Sequence, residues 1–146
     1  FVNSSRANSI FSQLSECGSE TVIDDGVITN RPENISIGSR VFIGKRVILD
    51  AYGKISIGND CSIAADCKII SGNHNISDIN TPINKQGYQI NDVLIEENVW
   101  LGFNVLVMPG VHIGSGSVVG AGAVVTKNFP KNSIIAGNPA KLLKKR

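Results

Sequence analysis

Apolar residues recur at every sixth position along the second half of the chain. Ile95, Leu101, Val107, Ile113, Val119 and Val125 open successive units between Ile95 and Pro130. Four places after the openers stand Val99, Val105, Val111, Ser117 and Ala123, all small or β-branched, and glycine follows the opener at Gly102, Gly114 and Gly120. A period of six fits neither a helix nor the strict alternation of a half-buried strand. It predicts a solenoid in which three short strands complete one triangular coil. The opener fills the coil interior and the small residue fits the corner. Glycine is expected to relax the backbone where the chain turns. Three units make one coil, so residues 18 apart should stack in neighbouring coils.

The same period runs more loosely through the first half. It begins with Cys17-Gly18 and Ile23-Asp24. After a turn at Pro32 it returns with Ile37-Gly38, Ile43-Gly44 and Leu49-Asp50, whose corners are Val41, Val47 and Gly53. It then slips by two residues and resumes at Ile57, Ile63 and Ile69, with corners Cys61 and Cys67. Ile35-Ser36-Ile37-Gly38 and Ile55-Ser56-Ile57-Gly58 lie one coil plus two residues apart, and Val93-Leu94-Ile95-Glu96 has the same pattern. Insertions therefore collect at one corner of the triangle. The largest leaves at His74 and returns near Val93. It is polar, lacks a clear period, and is long enough to suggest a functional loop.

These elements predict one all-β domain over 1–146. It comprises a lead-in over 1–16, coils over 17–74 and 95–130, an inserted loop over 75–94, and a C-terminal strand and tail over 131–146. In the lead-in, Ile10, Phe11 and Leu14 suit one face of a short helix, while Phe11 is also in phase with Cys17 and so fits a ragged opening coil. Phe129-Pro130 breaks the repeat after Val125. Residues 133–140 read as a strand and turn, and 142–146 as a basic tail able to form a helical turn.

Composition narrows the function classes. Charged residues make up 18% and the net charge is only +2, too little to argue for nucleic acid. Aromatic residues are 5% of the chain, with no basic-aromatic platform for single strands. No apolar run approaches the roughly 20 residues of a membrane span, and no signal-peptide pattern is visible. The chain opens on Phe1 rather than Met, which leaves room for a missing N-terminal piece. Cys17, Cys61 and Cys67 are odd in number and lack a framework spacing, favouring a reduced, cytoplasmic protein. Each sits on a repeat position, as a small buried hydrophobe would.

Several segments carry a resemblance. Val99-Trp100-Leu101-Gly102, Met108-Pro109-Gly110-Val111, Gly120-Ala121-Gly122-Ala123 with Val125-Thr126-Lys127, and Ala136-Gly137-Asn138-Pro139-Ala140 together resemble the hexapeptide-repeat acetyltransferases. Ser71-Gly72-Asn73-His74 resembles the catalytic-histidine segment of that family. The resemblance implies a left-handed parallel β-helix, a homotrimer, and acetyl-CoA in the groove between subunits. It implies transfer of acetyl to a hydroxyl of a sugar or polysaccharide. Xenobiotic acetyl transfer is the enzymatic alternative, and a non-catalytic solenoid scaffold the other.

Residue by residue, the resemblance makes His74 the general base, a role suited to histidine near neutral pH. It places the cofactor at Phe103, Ala121, Thr126, Lys127, Lys141 and Lys144. The two lysines of the tail stand where relatives carry arginines near the CoA phosphates. Phe103 and Ala121 are 18 apart and should stack. Asn73, Asp50 and Trp100 are the candidates for the acceptor, and Asp78 for orienting the imidazole. Galactoside-type members carry an acceptor-binding asparagine near the position of Gly44, and this chain does not. His112 closes its coil as His74 closes the preceding one, which sets the two near each other. Two histidines fall short of the three protein ligands usual at a catalytic zinc, so no metal is expected.

Overall fold

Each six-residue unit becomes one side of a triangle. The computed structural model describes residues 9–146, and the first eight residues of the predicted lead-in lie outside that range. One face of the prism stacks Glu16–Cys17, Ile35–Ile37, Ile55–Ile57, Val93–Ile95 and His112–Ile113. The second stacks Val22–Ile23, Phe42–Ile43, Ser62–Ile63, Trp100–Leu101 and Val118–Val119, then Ser133–Gly137 and Ala140–Lys145. The third stacks Ile28–Asn30, Ile48–Asp50, Lys68–Ile70, Leu106–Val107 and Val124–Val125. All pairings between successive coils are parallel. The fold is a β-solenoid of hexapeptide repeats.

The predicted register holds. Ile95 pairs with Ile113, Leu101 with Val119 and Val107 with Val125, each 18 residues on. In the first half Ile37 pairs with Ile57 and Ile35 with Ile55, 20 residues apart. Openers and corners are buried almost without exception, and together with Cys61 and Cys67 they form one continuous core. The two thiols donate to carbonyls of the next coil, Cys61 to Glu96 O at 3.0 Å and Cys67 to Gly102 O at 3.1 Å. Ile10, Phe11 and Leu14 pack partly buried against the core, and residues 9–11 are helical. No described helix is long and apolar enough to cross a membrane.

Three expectations need correction. The glycine after the opener does not supply the turn. Positive φ falls three residues after the opener instead, at Arg40, Arg46, Asp60, Asp66, Asn98 and Asn104. Gly102 is required by close approach, since a Cβ there would lie 2.7 Å from the Ala121 nitrogen in the next coil. Second, the basic tail is a strand rather than a helical turn. Ala140–Lys145 runs antiparallel to Ser133–Gly137 at the end of the second face. Third, the interior continues past Val125. Phe129 bridges Ile113, and Ile135 pairs with Val119 and is fully buried. An aromatic ring and a shortened step thus close the end of the core.

The long insertion is more ordered than its lack of period suggested. Gly72–His74 pairs antiparallel with Tyr88–Ile90, so the segment leaves the solenoid as a hairpin. The chain rejoins the first face at Val93, where Val93 pairs with Ile55. Insertions do collect at the corner between the third and first faces: Pro32–Asn34, residues 51–54 and this hairpin all leave there.

Candidate functional site

The hairpin base is locked to the solenoid by polar and steric fit. Ser71 is fully buried; its hydroxyl accepts from the Gly53 nitrogen at 2.9 Å and is 3.0 Å from the Gly53 carbonyl. Asp92 Oδ1 accepts from the Lys54 nitrogen at 2.8 Å, and the Asn91 nitrogen donates to Ser71 O. Two glycines leave room for this docking. A Cβ on Gly53 would lie 2.7 Å from the Ile90 side chain, and one on Gly72 would lie 2.7 Å from Tyr52 Cβ. The hairpin therefore projects from a fixed root.

His74 sits on that root, exposed, and not within a coil as the sequence suggested. It faces Tyr88 across the hairpin, with ring centroids 4.5 Å apart and planes inclined by 33°. Tyr88 packs in turn against Tyr52 at 4.5 Å, and the Arg31 guanidinium lies 3.8 Å above the Tyr52 ring. The Tyr88 hydroxyl and Arg31 lower the pKa of Tyr52, while Tyr52 raises that of Tyr88. Asp50 ends its strand at the same corner and accepts from Asn30 Nδ2 at 2.7 Å. Asn73 is the residue before His74 on the same strand and is exposed.

Asp78, the candidate for orienting the imidazole, makes no hydrogen bond to His74 among the described residues. Its two oxygens accept from the Asn80 nitrogen at 2.9 Å and the Thr81 hydroxyl at 2.6 Å, and these bonds hold its pKa below the usual range. The loop is knitted further by Gln86, which donates to Asp78 O and Thr81 O. Among the described residues the His74 side chain has no hydrogen-bond partner, and its ring packs on Tyr88.

His112 is occupied differently. Its Nε2 lies 2.6 Å from Glu96 Oε1, and the other Glu96 oxygen accepts from the Ser115 nitrogen at 2.7 Å. The Ser115 nitrogen and His112 together hold the Glu96 carboxyl below its usual range. No group of three or more metal-ligating side chains occurs among the described residues.

The remaining predicted residues lie elsewhere on the prism. Trp100 stands on the flat second face, between Ser62 and Val118 in the ladder. It is 54% exposed and Phe103 63%, and with Phe42 and Ala64 they line an apolar groove of about 360 Å³. Gly44 lines the same groove. A side chain there would push its Cβ to 2.8 Å from the Ala65 nitrogen, so the backbone of the next coil excludes an asparagine at this position. Phe103 and Ala121 do stack at one corner: the Gly122 nitrogen donates to Phe103 O at 2.8 Å, and neither the Phe103 nor the Ala121 nitrogen is a donor among the described hydrogen bonds. Lys127 is 5.7 Å from the Phe129 ring. Thr126 and Lys127 are exposed at the end of the third face, and Lys141 and Lys144 on the final strand of the second.

Asp50, Asn73 and His74 thus share one corner, while Trp100, Phe103 and Ala121 lie along the second face and its far edge. One chain does not bring the two groups together. The sequence reading missed Arg31, Tyr52 and Tyr88. A usable signal existed: the chain has two tyrosines, and both fall in insertions at the corner that carries His74.

Comparison with known proteins places this architecture. Residues 92–127 match the family described as bacterial transferase hexapeptide (six repeats), and residues 34–69 match the hexapeptide repeat of succinyl-transferase. The "Putative colanic acid biosynthesis acetyltransferase WcaF" of Escherichia coli K12 is 33% identical over 129 residues, 88% of this chain and 68% of its own. The chain belongs to the hexapeptide-repeat acetyltransferase family. A maltose O-acetyltransferase structure from Clostridium difficile 630 superposes with a TM-score of 0.90 at 29% identity, over 99% of this chain and 78% of that one. A Vibrio cholerae hexapeptide-repeat acetyltransferase complexed with acetyl coenzyme A superposes with a TM-score of 0.87 at 25% identity, over 96% and 75% of the two chains. This hexapeptide-repeat chain spans about half the length of the first curated relatives it matches.

Proposed function

We propose that this chain transfers acetyl from acetyl-CoA to a hydroxyl of a sugar, in the synthesis of a surface polysaccharide or O-antigen. The observation that carries the reading is His74: an exposed imidazole, free of hydrogen-bond partners among the described residues, on a hairpin with a fixed root. In the proposed reaction a His74 ring nitrogen takes the acceptor hydroxyl proton. The oxygen attacks the thioester carbonyl carbon, the C–S bond breaks, and the proton passes to the departing CoA thiolate. No acyl-enzyme is invoked, since Cys61 and Cys67 are buried and burial pushes the Cys61 thiol up to about 11.

The division of the site residues between two sides of one prism supports a homotrimer. In such an assembly the His74 corner of one copy meets the Trp100 groove of the next. The Phe103 and Ala121 nitrogens would face the pantetheine arm, with Thr126, Lys127, Lys141 and Lys144 toward the nucleotide end. Asp50, Asn73 and Trp100 would contact the acceptor. Acetyl-CoA bound by the relative from Vibrio cholerae, and the maltose and colanic acid named for other relatives, favour these ligands.

His74→Ala tests the reading on a panel of sugars and xenobiotic alcohols with acetyl-CoA. Turnover should fall by roughly 10²–10⁴-fold, the usual worth of a general base. Acetyl-CoA affinity and melting temperature should stay near wild type, because His74 is exposed and outside the core. Near-normal turnover in the variant would exclude His74 as the base. Absence of acetyl-CoA binding in the wild type would leave a scaffold.

A further inference from the structure

Among the described residues, no hydrogen-bond partner sets the direction of the His74 imidazole. A general-base histidine is commonly aimed by a hydrogen bond from its second nitrogen to a carboxylate or carbonyl. Here the nearby carboxylate in sequence, Asp78, is engaged by Asn80 and Thr81. The imidazole instead rests on an aromatic ring. Tyr88 is its register partner across the hairpin, a cross-strand placement in which side chains on one face meet.

That ring is itself supported from the solenoid. Tyr88 packs on Tyr52 with centroids 4.5 Å apart and planes inclined by 32°, within the range of favourable aromatic pairs. Tyr52 belongs to the preceding coil and lies over Gly72, where any Cβ would collide with it. The Arg31 guanidinium, one coil earlier still, covers Tyr52 at 3.8 Å. Among the described residues its buried Nη1 has no hydrogen-bond partner, and the guanidinium meets Tyr52 in a cation–π arrangement. Three successive levels of the solenoid thus feed one continuous pile that ends at His74.

We propose that Tyr88 is a positioning residue for His74, held in place by Tyr52 and Arg31. This inference rests on the reading of His74 as the base. Ring packing restricts the imidazole side-chain torsions and keeps a nitrogen directed at the acceptor hydroxyl. Misplacement of a reacting group by about 1 Å can cost on the order of 10²-fold in rate, so loss of the ring should appear in kcat.

The test compares wild type, Tyr88→Ala, Tyr88→Phe and His74→Ala, with acetyl-CoA and maltose as acceptor. Tyr88→Ala should lower kcat by about 10- to 100-fold with KM for acetyl-CoA unchanged, and Tyr88→Phe should restore most of the loss. A second measurement needs no acceptor. The His74 ring-proton resonances, assigned by their disappearance in His74→Ala, should shift in Tyr88→Ala as the ring current is removed, and stay in place in Tyr88→Phe. Unshifted resonances in Tyr88→Ala overturn the inference. So does wild-type kcat in Tyr88→Ala while His74→Ala is inactive. If His74→Ala keeps its activity, the base reading fails instead, and the resonance shift separates that outcome from a missing ring contact.

Discussion

Trp100 and Leu101 are consecutive residues of one short strand and point to opposite sides of its sheet, so the pair separates the solenoid interior from its outer face. Leu101 is fully buried and stacks between Ile63 and Val119. Leu101→Ala removes the equivalent of about three methylenes, or about 2.4 kcal/mol of transfer energy at ~0.8 kcal/mol each. A cavity cost adds to this, because the coils above and below are held at their spacing by backbone bonds such as Trp100 N to Ser117 O and Gly102 N to Val119 O, and cannot collapse into the void. The total should reach about 3–4 kcal/mol, within the usual Leu→Ala range. For a chain near this size that is a fall of roughly 10 °C in Tm, read by circular dichroism at fixed protein concentration. Trp100→Ala should cost the isolated chain little, because the side chain is 54% exposed. If this face meets a second copy, the same change removes an interface tryptophan worth about 2 kcal/mol or more, seen as dissociation on dilution by light scattering. A Leu101→Ala cost below about 1 kcal/mol would refute the account of a rigid, close-packed coil interior. A wild-type monomer mass, or a trimer whose dilution midpoint ignores Trp100→Ala, would remove that face from the proposed subunit contact.

Replacing Lys141 and Lys144 together with Ala should weaken CoA binding and flatten its salt dependence, measured by calorimetry, with no change in melting; unchanged affinity would make the strand's lysines solvated surface. Asp60 and Asp66 are held below the ordinary carboxylate value by hydrogen bonds and charge from Arg40 and Arg46, at 2.6 and 2.7 Å. A lowered folded-state pKa means stability is present above the unfolded value and is lost as pH falls through the folded one. The Arg40→Gln/Arg46→Gln variant should therefore show a shallower fall in Tm below about pH 4, and an identical acid limb would show that the pairs contribute nothing. Cys61 and Cys67 are buried with raised pKa, whereas Cys17 is only half-buried. Native thiol labelling at pH 8 should modify Cys17 first and the other two only on unfolding; equal rates would contradict the buried corners.

The six-residue period by itself determined the solenoid, its interior as far as Val125, and its register, while the closing step through Phe129 and Ile135 falls outside the period. Opener, corner and coil-to-coil pairing depend on spacing along the chain, and that spacing is written in Ile95, Leu101, Val107 and their successors. The same holds for the corner that gathers insertions, because a slip of two residues is visible wherever the period resumes. The resemblance around Gly72-Asn73-His74 singled out the histidine. Tertiary structure decided what surrounds it. The hairpin pairs His74 with Tyr88 across a loop that has no period, and antiparallel pairing of two three-residue strands leaves little mark in composition. Tyr52 reaches that hairpin from the preceding coil because Gly72 has no Cβ, a fit set by interatomic distances. Likewise the glycine after each opener reads as a turn residue in sequence, yet at Gly102 and Gly44 it is the nearness of the next coil that demands it. Local repetition fixes the repeating parts of a solenoid, whereas its functional corner is built from contacts between segments that only the folded chain brings together.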